Sequence, residues 1–208
     1  MKNGKTLIVA AVLSSTVWLS GCAPILIGGA AVTTASVMTD RRSTGAVVND
    51  EVLEVRVKHE IGQAIGFDKQ HVSVTSYDGK VLLTGEVSSE TAKQAAQRVA
   101  AQSVDVSGVV NELAVMDPSS MTTRLSDSML AGKVRSEIFA TKQISLNQMK
   151  VTVERGTVYL MGIVTAREAD LAAKTASEVS GVQQVVKCFS VESEEEVRLR
   201  LKNLETPS

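Results

Sequence analysis

The sequence predicts an α+β protein: two tandem αββαβ domains, each a three-stranded sheet covered by two helices, behind a cleavable leader. Three observations predict it. Sliding the chain against itself by 77 positions superposes one half on the other. Within each half, the apolar spacing passes from helical to alternating and back. The first 21 residues differ in kind from everything that follows.

That leader, residues 1–21, carries Lys2 and Lys5, the apolar run from Leu7 to Leu13, then Val17, Trp18, Leu19 and the small pair Ser20, Gly21 before Cys22. A charged start, a short apolar stretch and small residues at a cut site make an export signal. The apolar stretch is too short and too interrupted to span about 30 Å of hydrocarbon. The tetrad Leu19, Ser20, Gly21, Cys22 resembles the lipobox of bacterial lipoproteins. The resemblance implies a thiol joined to diacylglycerol, cleavage before Cys22 and further acylation such as palmitate. Two or three acyl chains make release from a membrane negligible, where one would be marginal. Ala23 stands where lipoproteins kept in the inner membrane usually have Asp, so the resemblance implies the outer membrane, on its periplasmic face. After cleavage Cys188 is the only thiol in the chain, which excludes an intramolecular disulfide.

Residues 22–50 begin with Ile25, Leu26, Ile27, Gly28, Gly29 and turn polar at Thr39, Asp40, Arg41, Arg42; they read as the lipidated cysteine and a flexible tether, with an ordered first strand as the alternative. The first repeat, residues 51–116, opens with Leu53, Val57, Ile61 and Ala64 at helical spacing. Val72 and Val74 then alternate with polar residues, and Val81 and Leu83 follow a turn at Asp78, Gly79, so a β-hairpin is expected. A second helix starts after Ser88 and is expected to stop at Gly108, before a last strand from Val109 to Val115. A connector, residues 117–126, contains Asp117, Pro118, Ser119 and Ser120.

The second repeat, residues 127–191, restates the pattern: Leu130, Val134, Ile138; then Val151, Val153; a turn read as shorter at Arg155, Gly156; then Val158, Leu160. Thr165 and Glu168 form a capping-box pair at the next helix, which is expected to end at Gly181 before a strand from Gln183 to Val191. Three strands cannot bury both faces unaided, so both helices of each copy must lie on one side of its sheet. Residues 192–208 interleave Glu192, Glu194, Glu195, Glu196, Arg198, Arg200 and Lys202 with Val197, Leu199, Leu201 and Leu204. This tail reads either as a short amphipathic helix or, by default for a charged terminus, as a frayed end.

A helix containing Val-x-x-x-Ile, a hairpin ending in Val-x-Leu-x-Gly-x-Val and a later Val-Ser-Gly-Val resemble the BON domain. Two such domains behind a lipobox are similar to the dual-BON outer-membrane lipoproteins. The resemblance implies binding of anionic phospholipid by the second domain, a part in envelope integrity, and enrichment at division sites.

Catalysis fails on supply. His59 and His71 have no cysteine or carboxylate at metal-ligand spacing, and no nucleophile elbow, zinc-protease or phosphate-loop motif is present. No enzyme activity, cofactor, metal or small-molecule substrate is expected. Cys188, among Val185, Val186, Phe189 and Val191, reads as a buried, inert thiol. Net charge near zero predicts no nucleic acid partner.

Charge differs between the copies. Glu51 to Met116 holds six Lys or Arg against nine Asp or Glu, a net −3; Asp127 to Val191 holds eight against six, a net +2. Basic residues contribute on the order of 1 kcal/mol each near an anionic surface, so the second copy suits anionic lipid. If Leu130, Val134 and Ile138 face the sheet, Met129, Lys133 and Ser136 form another stripe with Arg135 beside it. An apolar side chain among cations is what an interfacial helix presents. On spacing alone this face reads equally as a solvated outer face with one incidental methionine; the resemblance to the BON domain implies that Met129, Lys133, Arg135 and Ser136 bind phospholipid, with Lys142 and Lys150 as secondary candidates. Gly85 and Gly162 read as structural, through a bulge or a close approach. The alternative function is a periplasmic adapter for outer-membrane assembly proteins or cell-wall remodelling machinery, suggested by the acidic first copy and the charged tail.

Overall fold

The computed structural model describes residues 40–68 and 70–205. The leader, Cys22 and residues 22–39 of the expected tether lie outside the described residues. Residues 40–50 are part of the fold, which departs from the tether reading. Asp40 to Arg42 lead into helix α1 (Thr44–Ile65), whose N-cap Ser43 accepts a hydrogen bond from the Ala46 amide. Leu53, Val57 and Ile61 fall on one buried stripe, as their spacing predicts. What ordered the earlier residues is polar: Arg42 is buried between the carboxylates of Asp40 and Asp50 and lies over the Tyr77 ring, 3.8 Å from its centroid.

Strands β1 (His71–Tyr77) and β2 (Lys80–Val87) form the expected antiparallel hairpin. Asp78 and Gly79 both have positive φ, 54° and 76°, the pairing that matches strand twist in a two-residue turn. Arg155 and Gly156, at 48° and 74°, build the same turn in the second copy, so the two turns are equal in length rather than one shortened. Helix α2 (Glu90–Gln102) returns the chain to a final strand beside β2 and parallel to it. That strand runs in two pieces, β3 (Gly108–Asn111) and β4 (Ala114–Val115), with Leu113 turned into the core between them.

The second copy repeats the order: α3 (Met121–Ala140), a 3₁₀ turn (Leu146–Gln148), β5 (Met149–Glu154), β6 (Thr157–Val164), α4 (Ala166–Ser177), β7 (Gln184–Lys187) and β8 (Ser190–Val191). The capping box at Thr165 and Glu168 is present at the start of α4. The expected glycine stops are not. Helix α2 is capped at Ser103 and α4 at Glu178; Gly108 opens β3, and Gly181 takes its positive φ in the loop before β7. Gly85 and Gly162 are structural for a backbone reason: a Cβ there would collide with the carbonyl oxygen of His71 or of Gln148 on the neighbouring chain segment. The tail is ordered over a helix α5 (Glu194–Glu205), which corrects the frayed-end reading. Arg200 holds it, bonding Glu192 in the approach to the helix and, at 3.2 Å, Asp78 at the tip of the first hairpin.

Each sheet has helices on one face only. Val81, Leu83 and Val87 of β2 pack under α1 and α2; Val158, Leu160 and Val164 of β6 pack under α3 and α4. The alternate residues point the other way, and there the two sheets meet. Tyr77, Leu82, Tyr159, Met161, Ile163 and Cys188 form a third core between the copies. The result is four layers: helices, sheet, sheet, helices. Repeat-equivalent residues touch across the middle, where the Thr75 and Thr152 hydroxyls lie 3.1 Å apart.

Candidate functional site

Helix α3 is the element with most to explain on its outside. Its N-cap Ser120 accepts from the Thr123 amide, and Asp127, Leu130, Ala131, Val134 and Ile138 make the buried stripe. The opposite stripe should be polar in a helix that ends at water. Instead Met121, Leu125 and Met129, stepping at i, i+4, i+8, are exposed, and Phe139 returns to the azimuth of Met121 after five turns. Met129 is 62% exposed and Phe139 80%. Four large apolar side chains on the solvent side of one helix, over about 27 Å, form an unpartnered ridge.

Cations flank this ridge. Lys133 is exposed on one side. On the other, Arg124 and Arg135 line a cleft of roughly 390 Å³ with Ser128, Asp127, Ser73, His71 and Glu154. Arg135 is fixed there, its guanidinium donating to the Val151 carbonyl at 2.7 Å. Of the residues expected to bind phospholipid, Met129, Lys133 and Ser136 share the outward face, Arg135 stands at its edge, and Lys142 is exposed just past the C-cap Thr141. Lys150 is not available for such a role: it points to the first copy and pairs with Glu51 and Glu54 at 2.9 and 2.8 Å. Sequence reasoning missed Met121, Leu125 and Phe139. Stepping back by four from Met129 would have found the first two, had the second domain not been started at Asp127.

The remaining polar side chains between the layers tie the copies together. Arg41, 4% exposed, makes two 2.8 Å bonds to the carboxylate of Glu168 and a third to the Ile163 carbonyl. Arg155 reaches Glu86 at 2.6 Å, and Ser73 donates to Glu154 at 2.8 Å. Burial works against the Glu168 and Glu86 charges, but hydrogen bonds, chiefly from Arg41 to Glu168 and from Arg155 to Glu86, hold both carboxyls below the usual range. Burial pushes the Cys188 thiol up to about 11, in keeping with an inert buried cysteine. His71, which has no carboxylate at metal-ligand spacing along the chain, has two beside it in the fold: Glu86 at 3.1 Å and Glu154 at 3.7 Å. They come from different strands and, in one case, from the other copy, so spacing along the chain gave no sign of them.

The chain is thus a pair of αββαβ units packed sheet to sheet, with one helix face left apolar and flanked by cations. The chain belongs to the BON domain family and carries two copies, matched over residues 49–117 and 126–193. It is 37% identical over 182 residues to the outer membrane lipoprotein DolP of Haemophilus influenzae, covering 87% of this chain and 94% of that one. It is 32% identical over 152 residues to a 21 kDa hemolysin of Actinobacillus pleuropneumoniae, covering 73% and 78%. Among solved structures, CdsD, a structural protein of the type III secretion system of Chlamydia trachomatis, matches 74% of this chain and all of that one at 13% identity and a TM-score of 0.29. Among the described residues no helix is long and apolar enough to cross a membrane.

Proposed function

We propose that this protein is an outer-membrane lipoprotein, anchored through Cys22 and facing the periplasm, whose second BON domain docks on anionic phospholipid through the outer face of α3. The location rests on the lipobox and on the likeness to the Haemophilus lipoprotein. The ridge of Met121, Leu125, Met129 and Phe139, flanked by Lys133, Arg124 and Arg135, carries the docking reading. Apolar side chains enter the acyl boundary while the cations meet phosphates. Because acyl chains supply attachment, the helix works at high local concentration and its own affinity can be low. A weak reader of lipid composition suits a role in envelope integrity and in enrichment at division sites.

The test uses the chain from residue 23 onward, without lipid, and floats it with vesicles. Binding to phosphatidylglycerol vesicles should exceed binding to phosphatidylcholine and fall with added salt. Burying an aromatic or methionine side chain is worth about 1.5–3 kcal/mol, and each basic residue about 1. A Met129→Glu, Lys133→Glu variant, and separately Phe139→Glu, should therefore bind at least about tenfold more weakly. Equal binding to neutral vesicles, or undiminished binding by both variants, refutes the reading.

A second reading, an adapter for outer-membrane assembly or cell-wall remodelling proteins, is favoured by the outward valines of α1. Val48, Val52 and Val55 are exposed on the acidic copy. Crosslinking from Val52 in cells separates the two: a protein captured in stoichiometric yield through α1 supports the adapter.

A further inference from the structure

The inner face of the sheet pair holds one group of polar side chains whose charges are not balanced. Glu86 is 1% exposed at its side chain and well served: its Oε1 takes Arg155 Nε at 2.6 Å, and its Oε2 takes the Ser119 amide at 3.1 Å. Glu154 is 10% exposed at its side chain and poorly served. Its Oε1 accepts from the Ser73 hydroxyl, while Oε2 accepts no hydrogen bond among the described residues and faces His71 Nδ1 at 3.7 Å. Arg155 pairs with Glu86, whereas among the described residues no lysine or arginine comes within ion-pair distance of Glu154, Arg124 and Arg135 standing farther off along the same cleft. An ionised carboxylate taken from water without a counter-charge is strongly disfavoured.

We propose that His71, Glu86 and Glu154 form a divalent transition-metal site, of the kind zinc occupies, that cross-links the two BON domains. The three donors, Nδ1 and one oxygen from each carboxylate, all lie within 4.8 Å of one another. A tetrahedral zinc ion with ligands at 2.0–2.1 Å sets its donors about 3.4 Å apart. His71 Nδ1 already stands 3.1 Å from Glu86 Oε2 and 3.7 Å from Glu154 Oε2, each within a few tenths of an ångström of that spacing, and the two carboxylates, within 4.8 Å of each other, close the remaining gap by side-chain rotation. One imidazole and two carboxylates make a three-ligand set that leaves the fourth position to water. The cleft beside α3, which His71 and Glu154 line, gives that water and the ion their way in. The ion takes the Nδ1 lone pair of neutral His71, whose single ring proton then sits on Nε2, and supplies the positive charge that Glu154 lacks, next to the charge Arg155 already gives Glu86. His71 and Glu86 belong to the first copy and Glu154 to the second, so binding joins the two sheets at one end of their interface.

The experiment is melting of the full chain in detergent, followed by circular dichroism, with zinc or with chelator, for the wild type, Glu154→Gln and His71→Gln. Glu154→Gln removes a poorly compensated charge, so in chelator it should melt no lower than the wild type. Zinc at a hundredfold its Kd should raise the wild-type midpoint by about 5 °C or more and leave both variants where chelator leaves them. Cobalt in place of zinc should give the visible absorption of a tetrahedral site in the wild type alone. An equal zinc shift in all three proteins, or no shift and no cobalt spectrum in the wild type, overturns the proposal.

Discussion

Asp50 shows how much of this fold hangs on single buried carboxylates. It is fully buried, and its two oxygens accept from the Ser76 hydroxyl at 2.6 Å, Arg42 at 2.9 Å, and the Asp78 and Gly79 amides at 2.8 and 2.9 Å. The last two are the amides of the hairpin turn. Asp127, its equivalent 77 residues on, holds the Arg155 and Gly156 amides in the same way. Each first helix thus clamps the turn of its own hairpin. Burial opposes the Asp50 charge, but those hydrogen bonds together hold its carboxyl below the usual range. With the folded pKa below the unfolded one, the stabilisation is complete above the unfolded value of about 3.9 and is lost as pH falls through the folded value. Asp50→Asn, which strips the buried Arg42 of this charged partner, should cost about 3–5 kcal/mol near neutrality. Urea titrations at pH 7 and pH 3 check it: the gap between wild type and variant should narrow in acid, and a constant gap contradicts the assignment. Neither aspartate stands out along the chain, because each opens its helix's buried stripe with a charged residue, and at the end of the tether or the start of the second repeat a charge reads as an ordinary polar position.

Among the elements, helices and hairpins were legible because each has one face on its own copy's core. The spacing of Leu53, Val57 and Ile61, or of Val158 and Leu160, reports that face directly. The helix stops were misread because a glycine after an apolar run looks like a cap whether it ends a helix or opens a strand, as Gly108 does. For tail helix α5 the sequence offers a helix and a frayed end alike, because the contact that decides between them, Arg200 to Asp78, spans 122 residues. Helix α3 was half legible. Met129 and Lys133 were found by spacing, whereas Leu125 and Phe139 were not, since exposed apolar residues carry no period unless the helix ends are known. If the ridge serves docking and not packing, Leu125→Ser and Phe139→Ser should each leave stability within about 0.5 kcal/mol of wild type, while Leu130→Ala on the core side should cost about 2–5. Denaturant midpoints decide it; a large loss for the outward pair would mean that the ridge is covered by the protein itself.

At the scale of the whole molecule, the packing of the copies escaped the sequence because the faces that meet are dressed as solvent faces. Ser73, Thr75, Thr84, Glu86, Thr152 and Glu154 alternate with valines and leucines, the pattern of a sheet with one wet side. They are instead part-buried or buried between two sheets, around Tyr77, Leu82, Tyr159, Met161 and Ile163. Units of this size bury too little surface to be robust alone, and the shared core makes good the shortfall. The clasps Arg41–Glu168, Arg155–Glu86 and Lys150–Glu54 surround that core with charge pairs that neither copy can form by itself. The two copies should therefore open as one unit. Leu82→Asp sets an unpaired charge into the interface from the first copy only. Amide exchange at Val158 to Ile163 of the second copy should quicken as much as exchange in β2, because losing the interface exposes Tyr159, Met161 and Ile163 to water. If the β6 amides keep wild-type protection while β2 loses its own, the copies are independent and the middle layer is an adhesion rather than a core.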